Sequence, residues 1–170
     1  MRCVDHSETV MLKLRIAGII PESIVDGPGF RFALFTQGCP HHCPGCHNPQ
    51  THNPRGGREV SLLMLMRQIW NSRQHLDGVT FSGGDPFWQP EPLYHLARWC
   101  HRLGLNVMAY SGWTLEELRA KPECQKLLNE VDELVDGRFI IARRTLDLRF
   151  RGSSNQKLYH LKHGKVVSVE

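Results

Sequence analysis

Cys39, Cys43 and Cys46 stand within eight positions in the stretch FRFALFTQGCPHHCPGCHNP, Phe30 to Pro49. A thiolate is a soft ligand, so this C-x3-C-x2-C spacing can close on one face of an iron–sulfur cluster or supply most of a zinc site. It offers three ligands where a closed cubane or a structural zinc needs four, and no further cysteine lies nearby. A cluster held in this way leaves one iron open, and an open iron can bind a small molecule. The zinc alternative would recruit His41, His42, His47 or His52 as fourth ligand. Zinc ribbons carry a second ligand pair at similar spacing, however, and the remaining chain has no second C-x2-C or H-x3-H. A disulfide framework fits poorly, because the six cysteines are spread thinly over 170 residues.

The elements around this loop decide what it can face. Phe30 to Thr36 is apolar on both faces apart from Arg31, as a central parallel strand should be, so the cysteines follow its C-terminal end. Upstream, Leu12, Leu14 and Ile16 alternate with Lys13 and Arg15, a half-exposed strand at a sheet edge that Pro21 ends, and Asp26-Gly27-Pro28-Gly29 is turn chemistry. Downstream, residues 53–58 read as a loop, Ser61 caps a helix with Leu62, Leu65, Met66 and Ile69 on one stripe, and Val79 to Ser82 is a short strand. A second helix covers Pro90 to Leu103, a strand Leu105 to Tyr110, and Thr114 opens a capping box. Pro122 starts another helix, Glu133 to Asp136 is a strand, and Lys157 to Glu170 is a hairpin about His163-Gly164. Cys100 and Cys124 fall on apolar helical stripes and read as core.

This β-helix-β rhythm indicates a single α/β domain with mostly parallel strands, residues 1–11 forming a loose extension. A complete eight-stranded barrel needs upwards of about 200 residues, so a barrel here is partial. Ligands of such folds bind at the C-terminal ends of strands, where both the cysteine loop and Gly83-Gly84-Asp85-Pro86 sit. Two glycines there let backbone approach a ligand and leave carbonyls free to accept from a cation; alone, the same residues make an ordinary turn with Asp85 as cap. The net charge of +4, read as spread along the sequence, argues against a nucleic-acid surface. There is no apolar run of about 18 residues and no apolar leader, so the expectation is a cytoplasmic protein without a membrane partner.

At the cysteine loop the chain resembles the radical S-adenosylmethionine (radical SAM) enzymes, and within that superfamily Val25 to Gly29, Gly38-Cys39-Pro40 and Cys46-His47-Asn48-Pro49 are similar to the activating enzymes of glycyl radical proteins. The similarity continues through Ser82 to Pro86, Val135 to Phe139 and Arg151 to Gln156, and is strongest to the members that serve anaerobic ribonucleoside-triphosphate reductase. The resemblance implies a 4Fe-4S cluster on Cys39, Cys43 and Cys46, with S-adenosylmethionine on the open iron. It places the Gly45-Cys46-His47 backbone by the adenine and Gly83 and Gly84 by the methionyl ammonium. A low-potential electron donor would reduce the cluster, and the resulting 5′-deoxyadenosyl radical would take hydrogen from a glycine-bearing loop of the reductase. Where many radical SAM proteins carry an aromatic residue before the third cysteine, this chain has Gly45. A bulkier residue at Gly84 is expected to obstruct the cofactor while sparing the cluster loop. Arg138, Arg151 and Asn155 are candidate contacts to cofactor or partner, Trp113 a candidate cavity wall, and His41 and His42 exposed loop residues. Two alternatives remain open here: a radical SAM enzyme for a small molecule, as in deazapurine synthesis, and a non-catalytic zinc-binding adaptor.

Overall fold

The computed structural model describes residues 12–170, so the expected extension at 1–11, with Cys3, lies outside the described residues. One mixed sheet organises them: β1 Lys13–Ser23, β2 Arg31–Thr36, β3 Arg58–Ser61, β4 Gly78–Gly83, β5 Asn106–Tyr110, β6 Glu133–Asp136, β7 Lys157–Lys162 and β8 Lys165–Val169, in spatial order β3-β1-β2-β4-β5-β6-β7-β8. The four central strands β2, β4, β5 and β6 run parallel. The strands outside them, β1 and β3 on one flank and β7 and β8 on the other, pair antiparallel.

Helices connect the parallel strands: α1 Leu62–Ser72, α2 Pro90–Arg102, α3 Leu115–Arg119 and α4 Pro122–Leu128. Their starts follow local chemistry. The Ser61 hydroxyl accepts the Met64 N–H, Thr114 and Glu117 form the expected capping box, and Pro122 occupies the first turn of α4. None of the described helices is long and apolar enough to cross a membrane.

Two expectations need correction. The stretch read as a loop ends in β3, which covers the outer side of β1, so the first strand is not the edge. Pro21 does not end β1 either, because the pairing with β2 is irregular between Ile20 and Ser23 and no ladder N–H is demanded there.

Period-two alternation divides each parallel strand between two faces. Phe32, Leu34, Phe81, Val107 and Leu134 pack in the large core that includes the helices, together with Cys100 and Cys124. Met108 and Val135 point the other way and pack with Leu158, Tyr110 and Phe150. Arg31, the exception in the apolar strand, is 1% exposed and donates to Thr80 Oγ1 at 3.0 Å and to the Val79 carbonyl at 2.6 Å. A guanidinium this deep is tolerable because its donors are used.

At the same end of the sheet as Arg31, α2 is fastened to the turn before β6. His101 Nε2 lies 2.9 Å from Asp132 Oδ2 and Nδ1 3.2 Å from Glu130 Oε2. The hydrogen bond to Asp132, reinforced by Glu130, raises the His101 pKa above its ordinary value. Stability from a raised histidine is fully present below its unfolded value, about 6.5, and is lost as pH rises through the folded value. The melting-temperature gap between the parent and His101→Gln should therefore be wider near pH ~6 than near pH ~9. Equal gaps at both would show that the contact is not charge-dependent.

Candidate cluster loop and cofactor cavity

The parallel strands end together, and a cavity of about 380 Å³ opens there on the face that the helices leave bare. Phe35 of β2, Ser82 of β4, Tyr110 of β5 and Gly137 just past β6 line it, one from each parallel strand or its end. Cys39, Cys43 and Cys46 face the same space, as do His47, Gly83 and Gly84. The three thiols are partly exposed and free of disulfides.

The cysteine loop has little regular structure, so its position depends on how its base is pinned. Gly38 N–H donates to the Thr51 carbonyl at 2.8 Å and Cys39 N–H to the His52 carbonyl at 3.2 Å, closing the loop at its neck. The buried Gln37 amide donates to the carbonyls of Gln50 and Asn53, and Gln89 Nε2 donates to the Gln37 carbonyl at 2.8 Å. Each sulfur also has a main-chain partner: the backbone at His41 for Cys39, at Phe139 for Cys43, and the Asn48 N–H for Cys46 at 3.4 Å.

These hydrogen bonds disperse the charge of a ligating thiolate, which suits an iron–sulfur cluster. Burial acts against them in the protein alone, pushing the Cys39 thiol up to about 11 and raising that of Cys43 as well. Ligation would therefore release protons. Among the described residues no three His, Cys, Asp or Glu side chains are gathered around one metal-ion position. A 4Fe-4S cluster asks only that the sulfurs face one cavity, because each cysteine takes a different iron. The donor set fits that group.

A buried carboxylate joins the loop to the two strand ends beside it. Asp85, 0% exposed, accepts from the Phe87 N–H at 2.9 Å, the Gly112 N–H at 2.9 Å and the Ser111 hydroxyl at 3.0 Å, and its Oδ2 lies 2.8 Å from His41 Nε2. The His41 side chain is only 2% exposed and stands edge-on to Trp113 at 4.6 Å. The expectation of an exposed His41 is thus corrected, since the ring is occupied as a partner of Asp85 instead of free for a metal. The N-terminal cap foreseen for Asp85 is present, but its links to His41 and Ser111 cross 44 and 26 positions of sequence and left no local signal.

Gly84 is explained by the same packing. Its N–H donates to the Thr36 carbonyl at 2.8 Å, and a β-carbon there would collide with the Gly38 carbonyl oxygen. Space is therefore denied by the base of the cysteine loop itself, which overturns the expectation that a bulkier residue would spare the loop. Gly45 has φ of 73° and a β-carbon on it would lie 2.6 Å from Ile141 Cδ1, so both the backbone conformation and the segment after β6 disfavour an aromatic residue at this position.

Among the other named residues, His47 is exposed, with its ring 5.2 Å from that of Phe139. His42 is exposed as expected, 5.1 Å from the ring of His52. His52 Nε2 is buried without a hydrogen-bond partner among the described residues, and its ring lines the cavity. Arg151 lines the cavity and pairs with Glu170 at 3.7 Å, whereas the Asn155 amide donates to the Arg138 carbonyl. Trp113 packs against the core and does not line the cavity.

Comparison with known proteins bears on these candidates. The family described as 4Fe-4S single cluster domain matches residues 25–159. The anaerobic ribonucleoside-triphosphate reductase-activating protein of Salmonella typhi is 34% identical over 150 residues, covering 84% of this chain and 96% of that protein. The protein of the same name from Escherichia coli (strain K12) is 33% identical over the same shares. The pyruvate formate-lyase-activating enzyme of Clostridium pasteurianum is 39% identical over 101 residues, 57% of this chain and 42% of that enzyme. In fold, the chain is similar to the crystal structure of QueE from Escherichia coli, with a TM-score of 0.51 at 15% identity, over 66% of this chain and 58% of that one.

Two substitution series test the site. Ala at Cys39, Cys43 or Cys46 should abolish iron and labile sulfide after anaerobic reconstitution, while Cys100→Ala should keep both and lose at most roughly 2 kcal/mol of stability. Bleaching by Cys100→Ala would refute the ligand set. Gly84→Val should lower cluster content together with S-adenosylmethionine cleavage; a fully loaded variant defective only in cleavage would mean that its collision with Gly38 is relieved without moving the loop.

Proposed function

Because the chain belongs to the family of anaerobic ribonucleoside-triphosphate reductase-activating proteins, we propose that it is a radical SAM activase that installs a glycyl radical on such a reductase. The observation that carries this reading is the convergence of three cysteines and a glycine pair on one cavity at the ends of four parallel strands. The four strands are read as an incomplete β/α barrel, supported by their right position between helices on one face and the cavity on the other.

In this reading Cys39, Cys43 and Cys46 hold a 4Fe-4S cluster, and the main chain at His41, Phe139 and Asn48 supports their sulfurs. The Gly83-Gly84 backbone would hold the methionyl ammonium of S-adenosylmethionine, and the Gly45-Cys46-His47 backbone would hold its adenine. When bound, the cluster and S-adenosylmethionine would supply the radical chemistry: one electron from a low-potential donor would split the sulfonium C–S bond into methionine and a 5′-deoxyadenosyl radical, which would leave as 5′-deoxyadenosine after taking a hydrogen atom from glycine. Asp85 keeps the cysteine loop in register with the glycine turn through His41. A glycine-bearing loop of the reductase is assigned to enter this cavity and exclude water from it. The enzyme is placed in the cytoplasm.

The decisive experiment mixes the reduced, reconstituted protein with S-adenosylmethionine and an anaerobic ribonucleotide reductase without oxygen. A glycine-centred electron paramagnetic resonance signal on the reductase should grow with 5′-deoxyadenosine. Turnover of a free purine or pterin without any radical on the reductase would favour the small-molecule alternative, and a colourless zinc protein would remove both enzymatic readings.

A further inference from the structure

Residues 138–151, RFIIARRTLDLRFR, hold five of the chain's 21 basic residues and one of its 17 acidic ones, leaving 16 of each elsewhere. The whole net charge of +4 therefore resides in 14 residues, and the reading of charge as evenly spread is corrected. The segment has little regular structure beyond one turn at Ile141–Arg143 and a bridge between Arg144 and Ser153. It is nevertheless held in place: Ile140 N–H donates to Ser153 Oγ, and the Gln156 amide ties Gly137 to Gly152. The result is a fixed strap along one lip of the cavity, to which Arg144, Leu146 and Arg151 contribute lining.

Arg138, Arg143, Arg144 and Arg149 are exposed, and none is ion-paired among the described residues. Interleaved with them are Ile140, Ile141 and Leu146, exposed by 40%, 58% and 88%. Adjacent guanidinium groups repel one another, so their concentration on one lip favours an oppositely charged surface. Exposed aliphatic side chains between arginines match the composition of a protein interface. Outside the strap the chain carries as many acidic as basic residues, so its net charge gives a nucleic-acid backbone no attraction beyond the strap itself.

We propose that the strap is the docking surface for an acidic segment with apolar side chains on the reductase, adjoining the glycine that enters the cavity. This rests on the activase reading, which supplies the partner; the strap supplies the chemistry of its recognition. The arginines steer and orient the reductase, and Ile140, Ile141 and Leu146 cover its apolar residues.

The test measures the initial rate of glycyl-radical formation against reductase concentration for the reconstituted parent, for Arg143→Glu/Arg149→Glu, and for a control of equal charge change, Arg58→Glu/Arg67→Glu. Arg143 and Arg149 do not line the cavity, so 5′-deoxyadenosine formed without reductase reports whether the enzyme itself is intact. The strap variant should raise the apparent KM for the reductase by about tenfold at low ionic strength, and the defect should shrink at high salt. The control should change by less than about twofold, and the neutral variant Arg143→Gln/Arg149→Gln should fall between parent and reversal. An unchanged KM in the strap variant, or an equal defect in the control, overturns the docking surface while leaving the activase reading intact. If the strap variant instead lost retention on duplex DNA with its reductase kinetics unmoved, the surface would be one for nucleic acid and the proposal would fail. Absence of any radical from the parent, with cleavage intact, would remove the activase reading and the partner with it.

Discussion

The arrangement at the mouth of the sheet depends on one buried carboxylate. Asp85 collects two main-chain N–H groups, the Ser111 hydroxyl and the His41 ring, and so ties the cysteine loop after β2, the glycine turn after β4 and the loop after β5 to one point. A carboxylate with no solvent exposure is stable only when its acceptor positions are filled, so the three loops hold the charge and the charge holds the loops. The contact between Gly38 and Gly84 works in the same place, because backbone against backbone leaves no side chain to flex. Through these two features, the three cysteines on an irregular loop acquire the precision of the sheet beneath them.

The sheet divides labour between its faces. One is covered by helices and contributes most of the apolar core, including the two helical cysteines, whose thiol pKa values burial raises. The other carries the buried Arg31 toward one end and the cavity at the other. Parallel strands are suited to this division, since each crossover helix returns the chain to the starting end and each strand then delivers its following loop to the same side. The antiparallel hairpin β7-β8 closes the order after β6, and Glu170, just past β8, pairs with Arg151 at the far end of the strap at 3.7 Å.

The cysteine loop and the strap of residues 138–151 are also in contact. Ile141 of the strap fills the space beside Gly45, and the main chain of Phe139 supports the Cys43 sulfur. A partner seated on the strap would therefore press on residues adjoining two of the loop positions, which couples docking to the geometry around the ligands through direct contact.

Much of this was legible in the order of residues. The C-x3-C-x2-C spacing, the apolar stripes that assign Cys100 and Cys124 to the core, the caps at Ser61, Thr114 and Pro122, and the strands before both loops are local patterns, and local hydrogen bonding and burial produce them. Neither β3 nor the course of β1 through Pro21 carried such a signal, because pairing with a neighbouring strand decides them. The side-chain location of His41, the second role of Asp85 and the reason for glycine at position 84 were likewise settled only by folding, which brings together groups whose contacts have no sequence period. The concentration of charge in residues 138–151 was present in the sequence throughout, but only the tertiary structure set those arginines on the lip of the cavity, because the tie between Gln156 and the end of β6 folds the strap across it.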